Sequence, residues 1–265
     1  MKEQILSALG PAYPWKDRIY CFPTIGSTND HLRSLAKSGA PEGTAVIADH
    51  QTGGHGRRGR SFHSPQGSGI YLSFLLRPHC PPEQLMHLTC AAAVSMCDAV
   101  EAGAGFRPGI KWTNDLVSDT RKLGGILTEL GFSPDGTVDW VIVGIGINCT
   151  QAQEDFPDEI REMAGSLAMI TGVSPDRPAL AAAMLESLHQ MTRNLLTHRE
   201  ETLAVYRRDC ITLNKDVVLL RGDQRSYGHA VDIDESGALL VRFGDGSLQP
   251  VNSGEVSVRG MYGYL

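Results

Sequence analysis

Hydrophobic positions fall into short runs separated by glycine, proline and asparagine. IYCFPTI (19–25) reads as a strand, and Pro23 places it near a sheet edge or at its end. Ser27-Thr28-Asn29 then offers N-cap chemistry for a short helix running to Ser38, closed by Gly39 and Pro41. TAVIADHQ (44–51) and SGIYLSFLL (68–76) read as strands on either side of a glycine-rich loop. A helix is expected from Pro82 to about Ala102, and its alanines at 91, 92, 93 and 99 suit close packing on a sheet. GIKWTNDLV (109–117) reads as one strand ending in a polar turn. KLGGILTEL (122–130) and DWVIVGIGINC (139–149) follow as strands, and residues 178–197 as an amphipathic helix with proline at a tolerated first position. Residues 1–18 read as a lead-in without a long helix, because Pro11 and Pro14 interrupt it. It is too short for a helix-turn-helix domain.

The pattern changes after Cys210. KDVVLLRG, RSYGHAVDID, GALLVRFGD and SLQPVNSGEVSVRG are short strands broken by Gly, Asp and Asn. They predict a small all-β barrel of roughly fifty residues, with a boundary near 212 that divides the chain into 1–212 and 213–265.

Composition narrows the function. The chain has 265 residues, enough for a large core, and a net charge of −6. That balance argues against a general nucleic-acid binder, which depends on neutralising phosphates. The arginines at 57, 58 and 60 are a local basic site on an acidic background, better suited to a small anion. Six cysteines, at 21, 80, 90, 97, 149 and 210, form no C-x-x-C pair and match neither a zinc site nor a disulfide framework. They read as buried reduced thiols. MKEQILSALG lacks a signal-peptide core, and no apolar run approaches the ~18 residues of a membrane span. A cytoplasmic protein with no membrane association is expected.

The most distinctive stretch is QTGGHGRRGRSF (51–62). Gly54 to Gly59 matches the dinucleotide pattern G-x-G-x-x-G, which requires a helix after the third glycine. Pro65, Gly67 and Gly69 prevent that helix, and the next element is a strand. The P-loop pattern fails because no G-K-[ST] is present. Two readings remain: an anion-binding loop in which glycines expose backbone N–H groups and arginines fork onto phosphate, or a solvated basic hairpin tip. Other candidates follow. Lys111, before Trp112 at a strand end, suits neutralisation of a phosphoryl or acyl-phosphate group. Asn114 and Asp115 are hard oxygen donors of the kind Mg²⁺ accepts. Lys122 precedes the Gly124-Gly125 pair, and Asn148 ends a buried strand with an amide able to read a purine edge. Taken singly, Lys-Trp also reads as packing and Gly-x-Gly as a bulge.

Together these motifs carry a resemblance. STN at 27–29, Q-x-x-G-x-G-R-R-G-R from Gln51 to Arg60, KWTND at 111–115, KLGGIL at 122–127 and GIGIN at 144–148 occur in the order and spacing of the biotin protein ligases. The match spans roughly residues 20–260. It implies an α+β fold, a mixed central sheet packed with helices as in class II synthetases, plus a small SH3-like β-barrel. Many bacterial members also carry an N-terminal DNA-binding domain; this chain resembles the ligase-only class, without specific DNA binding. The implied reaction joins biotin to ATP with Mg²⁺, giving biotinyl-5′-AMP. Biotin then passes to a lysine of a biotin carboxyl carrier domain of acetyl-CoA carboxylase or another biotin-dependent enzyme. A homodimer through an exposed sheet edge is compatible with this reading.

Position by position, the resemblance implies that Ser27, Thr28, Asn29 and Gln51 contact the biotin head group. Gly54, His55, Gly56 and Arg57 close over biotin, Tyr71 lines its site, and Gly124 and Gly125 form a close wall. Arg57, Arg58, Arg60, Lys111, Lys122 and Asn148 hold ATP or the adenylate. Lys111, Arg57 and Asp115 are the implied catalytic groups, with Asn114 and Asp115 the metal candidates. Two positions depart from the family pattern. His55 stands where the first loop arginine is usual, implying retained activity with a weaker hold on the intermediate. Thr113 stands where proline is usual, which frees a turn that proline would preset. Lipoate or octanoate transfer, and a biotin-binding pseudo-enzyme, are the alternatives.

Overall fold

The computed structural model describes residues 1–221, 224–252 and 257–260. Its first unit is built on a seven-stranded mixed sheet. The strands are β1 (Ile19–Phe22), β2 (Ala45–Ala48), β3 (Gly69–Leu76), β4 (Gly109–Lys111), β5 (Asp115–Ser118), β6 (Arg121–Phe132) and β7 (Val138–Asn148). Their order is β1-β2-β3-β7-β6-β5-β4, and only the β1–β2 pair is parallel. Six helices accompany the sheet: α1 (Lys2–Ala8), α2 (Thr28–Lys37), α3 (Leu88–Ala104), α4 (Leu167–Thr171), α5 (Arg177–Asn194) and α6 (Arg199–Asp209). This is the α+β arrangement expected from the sequence.

Strand alternation sorts side chains onto two unlike faces. Ile70, Leu72, Phe74 and Leu76 of β3 point into the main core with Ala91–Ala93 and Met96 of α3 and Leu180 and Leu185 of α5. Small residues, Cys90, Ala91, Ala92, Ala93, Cys97 and Ala99, make up much of the buried face of α3, letting it lie close to both the sheet and α5. On the opposite face α2 seals one end, where Leu32 and Ala36 meet Val46, Leu75, Trp140 and Ile142. Beside that small cluster the opposite face is overlaid by Asn29 and Phe62, and there the site lies.

Several elements differ from the sequence expectation. The lead-in holds no long helix, as expected, but does contain the seven-residue α1, anchored by fully buried Ile5. Residues 109–117 are a hairpin, β4 and β5, with the polar turn inside the segment and not at its end. The helix expected from Pro82 starts as a 3-10 turn, Pro82–Leu85, and becomes α3 at Leu88. Pro82–Ala104 is apolar and long enough to cross a membrane, but 72% of its most apolar window is buried inside the protein, as in a core helix. α4 and α6 had no clear sequence signal. The six cysteines are unpaired and five are buried, with desolvation pushing the Cys149 thiol up to about 12.

The C-terminal strands are β8 (Asp216–Arg221), β9 (Gln224–Ile233), β10 (Leu239–Phe243), β11 (Leu248–Val251) and β12 (Ser257–Gly260). They form an antiparallel sheet ordered β11-β10-β9-β8-β12, which fits a small SH3-like domain. The expected strand 247–260 divides into β11 and β12; residues 253–256 lie outside the described residues. Trp112 joins the two units: its indole N–H donates to the Gly237 carbonyl at 3.0 Å, while its backbone N–H donates to Thr212 Oγ1 at the boundary.

Candidate active site

Register across five adjacent strand pairings sets one row of residues side by side. Ala48 pairs with Tyr71, Tyr71 with Gly146, Gly146 with Gly125, Gly125 with Asp115, and Asp115 with Lys111. Paired residues share a face, so the row runs from an aromatic, over two glycines, to a carboxylate and a lysine. The glycines make the floor shallow. A Cβ at Gly146 would lie 2.3 Å from the Phe62 ring, and one at Gly144 would lie 2.1 Å from Asn29 Oδ1. The GIGIN alternation is therefore a docking surface for α2 and for the loop. Gly124 faces away from this floor; its Cβ would press on the Gly146 carbonyl at 2.6 Å. Gly125 alone borders the site, with Lys122 Nζ 3.3 Å and Asp115 Oδ1 3.6 Å from where its Cβ would be.

At the α2 end of the floor sits a buried polar network. Ser27 caps α2 by accepting from the Asp30 N–H. Gln51 Oε1 accepts from the Thr28 N–H at 2.9 Å, and Gln51 Nε2 donates to Ser64 Oγ at 3.1 Å. Ser73 Oγ contacts Thr28 Oγ1 at 2.8 Å and Asn29 Oδ1 at 2.5 Å. Asn29 Nδ2 donates to Glu129 Oε2 at 2.8 Å, and Arg33 bridges Glu129 and Asp30. Burial lowers the Arg33 pKa, and its bonds to Glu129 and Asp30 more than offset that, raising it overall. Ser73 and Glu129 escaped the sequence reading. The available signal was period-two alternation, which puts Ser73 on the face of Tyr71 and Glu129 on the face of Gly125.

The glycine-arginine loop connects antiparallel β2 and β3, as its failed dinucleotide match required. It is a folded flap. Ile25 bridges Gln51, the Gly53 N–H donates to the Gly26 carbonyl, and the Phe62 N–H to the Gly54 carbonyl. His55 bridges Ser61 around a tip, Arg57–Gly59, in which Arg58 takes a left-handed φ of 59°. Gly54 is tightly enclosed: a Cβ there would approach Ser64 Oγ to 2.7 Å. Arg57 reaches back across the floor to donate to Asn114 Oδ1 at 2.9 Å. Burial, with Arg58 nearby, lowers the Arg57 pKa from its usual value. Arg58 and Arg60 stay on the exposed tip. His55 Nε2 lies 3.6 Å from Asp30 on α2, while Nδ1 contacts the Gly53 carbonyl.

The far end of the row is cationic. Lys111 is buried, 7% exposed, as the last residue of β4. Lys122 Nζ donates to Asp115 Oδ1 at 2.6 Å. Asn114 sits in the β4–β5 turn, its Nδ2 donating to the Ile126 carbonyl. That fixes the amide with its oxygen toward Arg57. The oxygens expected to take Mg²⁺ thus already face a guanidinium and an ammonium, an arrangement that does not fit a protein-held divalent cation. No cluster of three or more His, Cys, Asp or Glu that could hold a metal occurs among the described residues. Asn148 is buried at the end of β7; its Nδ2 donates to the Gly165 carbonyl and its Oδ1 faces Gln151 Nε2 at 3.4 Å. The 163–165 segment also bonds both backbone groups of Lys122, closing that end of the site. Tyr71 is fully buried beneath the flap, its hydroxyl donating to the Pro65 carbonyl.

The chain is similar to proteins of known function. Residues 21–148 match the biotin/lipoate A/B protein ligase family, and residues 212–259 the biotin protein ligase C terminal domain. The chain is 39% identical to the bifunctional ligase/repressor BirA of Bacillus spizizenii, over 84% of this chain and 68% of that protein. It is 35% identical to the biotin–[acetyl-CoA-carboxylase] ligase of Mycobacterium tuberculosis, over 87% and 85%. Among solved structures, the biotin protein ligase of Aquifex aeolicus in complex with biotin and ATP has a TM-score of 0.78 at 31% identity, covering 92% of this chain and 99% of that one.

Proposed function

The chain belongs to the biotin protein ligases of the biotin/lipoate A/B protein ligase family, and on that premise we propose how its residues divide the reaction. The enzyme uses ATP to attach biotin to a lysine of a biotin carboxyl carrier protein through biotinyl-5′-AMP. In the first step a biotin carboxylate oxygen bonds to the α-phosphorus of ATP and pyrophosphate leaves. In the second, the carrier lysine amine bonds to the acyl carbon, AMP leaves, and the amine loses a proton.

The glycine floor carries this reading. It leaves a shallow trough from the α2 network to Lys111, along which biotin lies with its ring at the network and its carboxylate at the lysine. Ser27, Thr28, Asn29 and Gln51 form the ring end, and Tyr71, Gly125 and the flap residues Gly54, His55 and Gly56 line the trough. Lys111 bridges the carboxylate and the α-phosphate, two anions that repel until a cation lies between them. Arg57 closes from above; leaving Asn114 for the phosphate keeps it a hydrogen-bonded partner throughout. Arg58 and Arg60 extend the flap toward the departing pyrophosphate. Asp115 holds Lys122 at the phosphate and is our choice of base for the incoming amine. Asn148 supports the adenine end from a buried position. Mg²⁺ would enter bound to the triphosphate and neutralise its charge, since Asn114 and Asp115 are already engaged by Arg57 and Lys122.

The domain boundary falls between 212 and 213, the location is cytoplasmic, and the −6 charge supports a ligase without specific DNA binding. The exposed edge of β1 is where a homodimer would form. A lipoate or octanoate ligase is the second reading, disfavoured by a polar network placed where a hydrocarbon tail or dithiolane has nothing to bond. The test is to mix purified protein with ATP, Mg²⁺, a carrier domain and either biotin or lipoate, and to weigh the carrier. A biotin-sized gain is expected; a gain with lipoate alone overturns the reading.

A further inference from the structure

We propose that Asp30 on α2 is a positioning residue that latches the flap through His55, and that the latch engages only when both nitrogens of the His55 ring carry a proton. The inference rests on the biotin reading above, in which the flap closes over the trough and retains the adenylate. His55 Nδ1 lies 2.9 Å from the Gly53 carbonyl, and a carbonyl oxygen only accepts, so Nδ1 carries a hydrogen. In the neutral ring Nε2 is then a bare lone pair. That nitrogen lies 3.6 Å from Asp30 Oδ1, so a lone pair faces a carboxylate and nothing draws the two together. A second proton, on Nε2, turns the same geometry into an ion pair between the flap and the first turn of α2.

The surrounding charges leave a place for that cation. Asp30 and Glu129 share one guanidinium, Arg33, so two carboxylates stand against a single positive charge. The charged imidazole is the second cation and makes the count two against two. Within the flap, Arg57 is turned away to Asn114, and Arg58 and Arg60 sit on the exposed tip. His55 is thus where the flap brings a charge to α2. Asn29 Nδ2 donates to Glu129, which ties the same cluster to the ring end of the trough. The His55 and Asp30 side chains are 34% and 50% exposed, so solvent screens the pair and keeps its effect small.

The test uses the full-length enzyme loaded with labelled biotinyl-adenylate and chased with unlabelled adenylate. It is run at about pH 5.5 and about pH 7.5, on either side of the point where histidine ordinarily changes charge. The ion pair belongs to the protonated ring, so the hold tightens as pH falls. Release should be about threefold slower at the lower pH, the size of an exposed ion pair. His55→Gln, which cannot charge, and Asp30→Asn, which offers no anion, should each release at the faster rate at both pH values. His55→Arg, charged throughout, should release slowly at both. A merely structural role would shift the rates together and leave the pH ratio standing. The proposal is overturned by an unaltered enzyme without a pH ratio. It is equally overturned by a ratio that survives in His55→Gln or Asp30→Asn while circular dichroism stays native. An unaltered enzyme that binds no biotinyl-adenylate at either pH would instead sink the parent reading, before any variant is compared.

Discussion

The two faces of the seven-stranded sheet are built by opposite rules. One face carries Ile70, Leu72, Phe74 and Leu76 against α3 and α5 and is stabilised by burial. The other carries Gly144, Gly146 and Gly125, where side chains are missing so that α2, the flap and substrates can approach the backbone. Because strand residues alternate, the same strands serve both, and β7 interleaves Val143, Ile145 and Ile147 with its glycines. The lesson is that stability and binding are separable here at single-residue spacing: a change on one face should cost folding and its sequence neighbour should cost function.

That separation can be broken in order of effect. On the packed face, Phe74→Ala should cost about 3–5 kcal/mol in urea unfolding, because a fully buried ring leaves a cavity. A cost near zero would mean the faces are not divided as described. On the site face, Lys111→Ala should slow adenylate formation by about 10²–10³-fold while circular dichroism stays native; near-normal turnover would remove Lys111 from the chemistry. Gly146→Ala should push Phe62 off the floor and raise the Michaelis constant for biotin, with a stability loss of about 1–3 kcal/mol from overpacking. Unaltered biotin kinetics would show that the flap tolerates a raised floor. Arg57→Ala should speed adenylate escape about tenfold, measured by chasing labelled adenylate, through loss of one charged bond over the site.

The smallest effect belongs to pH. His87 is fully buried, its Nε2 donates to the Leu195 carbonyl, and burial lowers its pKa from the ordinary 6.5. A depressed folded-state pKa means the unfolded chain binds the extra proton first. The stability that the neutral ring contributes is therefore full above about 6.5 and is lost as pH falls. Urea midpoints should fall between pH 7.5 and 5.5, and His87→Gln should flatten that slope; an equally steep slope in the variant would assign the effect elsewhere.

Much of this molecule was written locally. Short apolar runs bounded by glycine, proline and asparagine located the central strands, with β4 and β5 read as one, because a strand buried on both faces is a continuous apolar segment. Ser27 announced α2 because an N-cap is satisfied within three residues. Pro65, Gly67 and Gly69 excluded a dinucleotide fold because a helix was impossible there. The motifs also named most of the residues that the structure gathers on the glycine face. What the sequence could not contain was register. Only pairing across five strands puts Lys111, Asp115, Gly125, Gly146 and Tyr71 in one row, with Gly124 on the other side by the alternation of the strand. The partners that decide chemistry are likewise far apart in the chain: Arg57 on Asn114, Asn29 on Glu129, His55 on Asp30. Hydrogen bonds between side chains dozens of residues apart leave no local signature, so tertiary structure alone decided which polar groups are occupied and which remain for substrate.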